Sequence, residues 1–256
     1  MEFMMELSEI FRELDTLSKK NKREKFEEYV SEDGISVPRV TEILSSSIHE
    51  DFLMKWSNGL GFKHISYTKF MREAADKGTY SHYMIEKFLK NGCMLEDIDS
   101  FDIPNYFRPT VESTFTGFLK WWDKLKTVYK DVELVYSEKR LVSNYFGGTC
   151  DCVLKLDGKY WLIDFKTSNH MNFKYTLQLA AYRELLKSED IEISGCIVLM
   201  LSKTEYTYKE YIIDIDGNES HRLYMDDAIR LFAILTLGYV YRLDLTEEYQ
   251  SMLSVR

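Results

Sequence analysis

Residues 147–182 read GGTCDCVLKLDGKYWLIDFKTSNHMNFKYTLQLAAY. Asp157-Gly158 near its centre is a two-residue hairpin turn, because both central positions of a type I′ turn need positive φ and these residues tolerate it. With a loop of those two residues alone, Leu156 faces Lys159 and, counting outward, Asp151 faces Asp164. Directly opposed residues have Cβ atoms about 4.5–5.5 Å apart on the same side. Lys166 lies two residues past Asp164 and shares its face. Asp151, Asp164 and Lys166 therefore converge. Val153, Leu154, Trp161, Leu162, Ile163 and Phe165 are apolar at both parities, which predicts a strand pair buried on both faces.

Two carboxylates facing each other in a sheet repel, and burial makes them costly unless a proton or cation intervenes. A hard divalent ion such as Mg²⁺ takes carboxylate oxygens and water. The plainer alternative is a carboxylate pair on a solvated hairpin. The apolar flanks and the lysine two residues on favour the first reading.

Working outward, strands are predicted at Val132–Val135, Cys150–Leu156, Tyr160–Phe165, Ile193–Leu201 and Tyr206–Ile213, where Val, Ile, Tyr and Trp are rich. Helices are predicted over 173–187 and 218–242. Upstream, Leu7, Ile10, Phe11, Leu14 and Leu17 recur at helical spacing within 5–30. The run Lys19, Lys20, Lys22, Arg23 and Lys25 is read as a solvated helix face. A break follows at Ser31–Gly34. Further helices are predicted at Val40–Leu44, Glu50–Trp56, Tyr67–Leu89 and Arg108–Thr127, with 91–105 a loop. This order predicts an α/β (α+β) fold, a mixed central sheet flanked by helices, with a helical N-terminal half. Residues 1–35 form a helical extension. Residues 36–256 form one domain: a helical part 36–130, a core 131–215 and a C-terminal helix 218–243.

Composition narrows the function classes. With 45% hydrophobic residues and three prolines among 256, disordered and collagen-like chains are excluded. Cys93, Cys150, Cys152 and Cys196 have neither CxxC nor zinc-finger spacing, which suits reduced thiols in the cytoplasm. Cys150 and Cys152, two apart on a strand, are expected on one face. The N-terminal MEFMMELSEIF has acids where a signal peptide needs bases. The apolar run Leu231–Tyr241 is too short to span a bilayer and is read as a buried helix. No membrane partner is expected.

The net charge of −9 argues against nucleic acid as a partner. Its distribution removes that objection. Residues 137–187 hold 8 basic and 5 acidic side chains (+3), leaving 25 basic and 37 acidic (−12) elsewhere.

The motif Gly148-Thr149-Cys150-Asp151, then Ile163-Asp164-Phe165-Lys166-Thr167, then Gln178-Leu179-Ala180-Ala181-Tyr182, resembles the PD-(D/E)XK nuclease superfamily in its RecB-like branch. Gly78-Thr79-Tyr80-Ser81-His82 resembles that branch's G-T-x-x-H motif, and Val37–Leu44 its N-terminal opening. The resemblance covers roughly residues 36–200. It implies a restriction-endonuclease-like sheet and a metal-dependent deoxyribonuclease acting from DNA ends, in recombination, repair or replication. Mg²⁺ or Mn²⁺ would be bound by His82, Asp151, Asp164 and the backbone carbonyl of Phe165. Glu138 would reach the metal directly or through water. Lys166 would orient water or stabilise developing phosphate charge. Gln178 and Tyr182 would support Lys166 or the DNA backbone. Only Cys196 follows the core, so the iron–sulfur cluster of some relatives is not expected, which points to cluster-free exonucleases of phages and of mitochondrial genome maintenance. DNA and replication or recombination proteins are the implied partners. The rival readings are an endonuclease on the same core and a DNA-binding or assembly protein without turnover.

Other features have plainer readings beside these. Glu86, one turn after His82, is placed to hold its imidazole or to form an ordinary surface pair. Phe115, Phe118 and Trp122, with Trp121, are read as core rather than as a platform for bases. Lys120, Lys124, Lys126 and Lys130 form a strip open to either phosphate or protein.

Overall fold

In the computed structural model, which describes residues 6–20, 29–48, 62, 64 and 66–254, the Asp157-Gly158 turn has φ of 45° and 86°. The ladder beside it pairs Leu156 with Lys159 and continues to Cys152 with Ile163. The register is the one the turn predicts. It ends one residue short of Asp151 and Asp164, where the two strands part.

The elements run α1 (Leu7–Lys20), α2 (Val40–Ser47), α3 (Tyr67–Asn91), a 3₁₀ turn (Leu95–Ser100), α4 (Arg108–Val128), β1 (Val132–Val142), β2 (Gly147–Leu156), β3 (Lys159–Lys166), α5 (Phe173–Lys187), β4 (Ile193–Leu201), β5 (Tyr208–Asp214) and α6 (Glu219–Ser254). The sheet order is β1-β2-β3-β4-β5. β3 and β4 are parallel and joined through α5, and the other neighbours are antiparallel. The mixed sheet and helical N-terminal half are thus as expected.

Side chains leave the sheet alternately into two apolar layers. Cys196, Val198 and Met200 pack with Val153, Leu162, α2, α5 and α6. Ile197, Leu199 and Leu201 pack with Leu154, Ile163, Phe165, α3 and α4. In the second layer Phe115, Phe118 and Trp121 are fully buried, and Phe118 meets Phe165 edge-on at 5.7 Å. The aromatic row is therefore core, with Trp122 half-buried at its margin. Lys124 pairs with Glu210 and Lys120 donates to the Tyr206 carbonyl, so these two lysines tie α4 to the β4–β5 end of the sheet.

Several boundaries move, each for a physical reason. β1 runs to Val142, well past Val135. As an edge strand it carries polar residues (Ser137–Arg140) that hide it from a hydrophobic reading, and its register shifts between Leu134 and Tyr136. β2 begins at Gly147 rather than Cys150, and β5 at Tyr208 because Tyr206 turns with φ of 54°. The loop 91–105 contains the 3₁₀ turn, stabilised by the Asp97 carboxylate on the Met94 N–H. α6 extends to Ser254. Its apolar run is amphipathic rather than wholly buried: Phe232, Ala233, Tyr239 and Val240 are inside, while Leu231, Ile234 and Tyr241 are exposed. The predicted helix Glu50–Trp56, and Lys22, Arg23 and Lys25, lie outside the described residues. No described helix is long and apolar enough to cross a membrane.

Cys150 and Cys152 do not share a face. Cys150 packs in the α5 layer and Cys152 in the α4 layer. The alternation slips between them, beside Asp151. All four cysteines are free thiols, and burial raises those of Cys150 and Cys196 to about 12.

Removing an aromatic ring from a filled core costs about 3–5 kcal/mol. Phe118→Ala is expected to lose that much unfolding free energy in urea. A loss under 1 kcal/mol would show that the α4 layer is not close-packed.

Candidate metal centre

The shift in β1 brings Ser137 opposite Cys152 and Lys139 opposite Cys150. Glu138 therefore stands across from Asp151, and Asp151 stands across from Asp164 just past the last β2–β3 rung. Three carboxylates occupy one row across three adjacent strands. Like charges so placed destabilise a sheet, and the backbone is irregular at this row. Glu138 has φ of 51°, a left-handed conformation that costs a residue with a Cβ about 1–2 kcal/mol. The Asp151 Oδ2 accepts the Phe165 N–H at 2.7 Å, where a backbone carbonyl would serve in a continuing ladder.

α3 supplies His82. The Ser81 hydroxyl donates to the Lys77 carbonyl and accepts from Thr114 of α4 at 2.8 Å, which sets the rotation of α3 over the sheet. The His82 ring meets Phe165 edge-on. Its Nδ1 lies 3.6 Å from Asp151 Oδ1 and 3.7 Å from Glu138 Oε1, too far for hydrogen bonds. One ligand atom from each of His82, Glu138 and Asp151 lies within 4.8 Å of the others. Two ligands of one ion can be separated by at most twice a metal–ligand bond, about 4.2 Å for Mg²⁺ and about 5 Å for Ca²⁺. The three groups thus fit a hard divalent cation after small closure. Burial by itself disfavours the His82 cation, but the Asp151 and Glu138 carboxylates outweigh it and raise its pKa to about 9. A metal would replace that proton.

Asp164 and Lys166 form the other half of the site. Lys166 Nζ donates to Asp164 Oδ1 at 2.8 Å and to Gln178 Oε1 at 3.1 Å. It also lies 4.9 Å above the Tyr175 ring. Gln178 Nε2 donates to the Tyr182 hydroxyl at 3.3 Å. The spacing of Gln178 and Tyr182 on one helix face thus serves a single chain of contacts ending at Lys166. Gly148 makes room for it, since a Cβ there would stand 2.6 Å from the Tyr182 ring. Burial raises the Asp164 pKa to about 6 against the opposing effect of Lys166. Burial alone would lower Lys166, but Asp164 and Asp151 raise it, so it stays a cation. Asp164 Oδ2 is buried without a hydrogen-bond donor, a costly state for a carboxylate oxygen and one that a cation relieves.

The predicted site residues all come to this row, in a changed arrangement. Glu138, expected only at the margin, joins His82 and Asp151. Asp164, expected beside them, is engaged by Lys166. Phe165 contributes its N–H to Asp151 and its ring to His82. Glu86 does not touch His82; it pairs with Lys90 at 2.6 Å, one turn along the helix. Tyr175 was missed, although Tyr175, Gln178 and Tyr182 share the i, i+3, i+7 spacing of one helix face.

No family model and no curated protein matches the chain. Among solved structures, the crystal structure of SSO0001 is 16% identical over 87% of this chain and 84% of that chain, with a TM-score of 0.29. An overlap that low bears on neither fold nor function.

Two outcomes are expected. Relief of strain makes Glu138→Gly more stable than Glu138→Ala by about 1 kcal/mol; equal stability would mean that φ is unstrained. Asp164 and His82 both hold their protons more tightly folded than unfolded. Their contribution is full below the unfolded values and is lost as pH climbs through the folded ones. In chelator, the urea midpoint should therefore fall between pH 3.8 and about 6 for Asp164, and again between 6.5 and about 9 for His82. A midpoint that climbs across the upper window would refute the electrostatic account of His82.

Proposed function

We propose that the protein is a metal-dependent deoxyribonuclease that hydrolyses phosphodiester bonds from DNA ends. The observation that carries this reading is the row Glu138, Asp151 and Asp164 across three strands, faced by His82 and joined by the half-buried cation of Lys166. The resemblance of the same residues to the PD-(D/E)XK superfamily supports it.

His82, Glu138 and Asp151 would hold Mg²⁺ or Mn²⁺, with the free oxygen of Asp164 as a further ligand. Bound there, the ion supplies Lewis acidity and charge neutralisation for hydrolysis. Lys166 keeps its proton, so its part is electrostatic: it offers a positive charge where the phosphoryl group gains negative charge. Gln178 and Tyr175 hold its ammonium in place, and Tyr182 orients Gln178. The Tyr182 phenol is pushed above its ordinary value by burial, so it remains a neutral hydrogen-bonding group.

Lys166→Ala is expected to lower the rate of DNA hydrolysis by at least 10²-fold, in line with removal of one preorganised charge. Circular dichroism should show the fold retained. End-labelled linear DNA should be degraded in Mg²⁺ or Mn²⁺ while circular DNA resists. Cleavage of circles would make the enzyme an endonuclease, and no hydrolysis of either form would leave a DNA-binding protein without turnover.

A further inference from the structure

Beside the carboxylate row stands an arginine that the hydrolytic site does not use. Arg140 of β1 is paired with Thr149 of β2. Leu141 and Cys150 pack in the α5 layer, and a Cβ on Gly148 would point at Tyr182 of that layer. Arg140, Gly147 and Thr149 alternate with these residues and so stand on the opposite face, the one covered by α3 and His82. Tyr29 lies along that face. A Cβ on Gly147 would stand 2.7 Å from its ring, and its hydroxyl hydrogen-bonds the Thr149 hydroxyl at 3.0 Å. The ring thus runs along β2 toward Asp151. The Arg140 guanidinium carbon lies 4.7 Å from the centre of that ring. Tyr29 is buried, and Arg140 is exposed.

The neighbouring cations are already engaged. Lys166 donates to Asp164 and Gln178, and Lys139, on the other face, pairs with Glu189 at 3.3 Å. Among the described residues no carboxylate pairs with Arg140 and no acceptor takes its N–H groups. A guanidinium stacked on an aromatic face keeps those donors free at its edge, where two of them match two phosphate oxygens. The ring also fixes the group in advance, so little side-chain freedom is lost on binding. Three carboxylates repel an approaching phosphate, and a fixed cation beside them offsets part of that repulsion. Thr149 is two residues from Asp151, about 6.6 Å of strand. A nucleic-acid strand carries one phosphate per about 3.4 Å of axis, so Arg140 stands within reach of a phosphate next to one at the metal centre. We propose that Arg140, braced on Tyr29, grips a backbone phosphate of the DNA strand beside the bond to be cut. This assignment rests on the nuclease reading.

The test is fluorescence anisotropy of labelled oligonucleotides, single-stranded and duplex, with the full chain in Ca²⁺, across a range of KCl. Each phosphate contact contributes about 0.7 to the slope of log affinity against log salt for a single strand and about 0.9 for a duplex. Arg140→Gln should lower the slope by that amount, whereas Lys159→Gln, on the distant hairpin turn, should leave it unchanged. Melting curves should show both variants folded. Wild-type binding with equal slopes in all three proteins would overturn the role of Arg140 and leave the nuclease reading standing. In that case a lower melting temperature of Arg140→Gln would make the arginine a clasp on Tyr29. An equal fall in the Lys159 variant would also overturn the role, as general charge. A selective fall in a protein that hydrolyses no DNA would keep the phosphate contact and remove the nuclease reading. No binding of either oligonucleotide by the wild type would remove both.

Discussion

The structure depends on holding three carboxylates in one row of a buried sheet. Glu138, Asp151 and Asp164 come from consecutive strands, and no regular ladder places like charges in register without cost. Each is accommodated differently. Glu138 takes a left-handed backbone conformation on the edge strand. Asp151 takes an amide N–H that the ladder would otherwise use. Asp164 takes the ammonium of Lys166 and leaves one oxygen without a donor. Strain and unsatisfied polarity of this kind persist only where the surroundings over-determine them.

Those surroundings are the two apolar layers. On one side, the α4 aromatics pack Phe165 from below the row, and α4 holds α3, and so His82, through Thr114 and Ser81. On the other, α5 presents Tyr175, Gln178 and Tyr182 to Lys166. The same packing that stabilises the fold therefore aims every charged group in the site. Whatever binds there gains from groups already oriented, with little further loss of side-chain freedom. The overall acidity of the chain is compatible with a phosphate-bearing ligand, because the segment 137–187 that holds Lys166 carries a net charge of +3 within a chain of −9.

Legibility in the sequence follows the range of the interaction. The Asp157-Gly158 turn is local, so the β2–β3 register and the convergence of Asp164 with Lys166 can be counted from it. The strand Ile193–Leu201 has its predicted bounds because a buried, nearly continuous apolar run has sharp ends, and the helix Phe173–Lys187 has its predicted bounds because Leu177, Ala180, Ala181 and Leu185 recur at helical spacing. Only the first residues of β1 are legible, because half of an edge strand faces water. Glu86 has a choice of roles in the sequence because helix spacing alone does not say which neighbour a side chain meets; in the structure it pairs with Lys90 on the same helix.

By itself the sequence determined the element order, the mixed helix–sheet class, the hairpin register and the identity of the charged groups that need one another. These follow from turn chemistry, side-chain period and the cost of burying charge, all of which act over a few residues. Only the tertiary structure decided that Glu138 joins His82 and Asp151 while Asp164 turns to Lys166. That outcome rests on a one-residue shift in β1 and on the rotation of α3 against α4. Both are set by packing between segments far apart in the chain, where a single residue of slip moves a side chain to the opposite face.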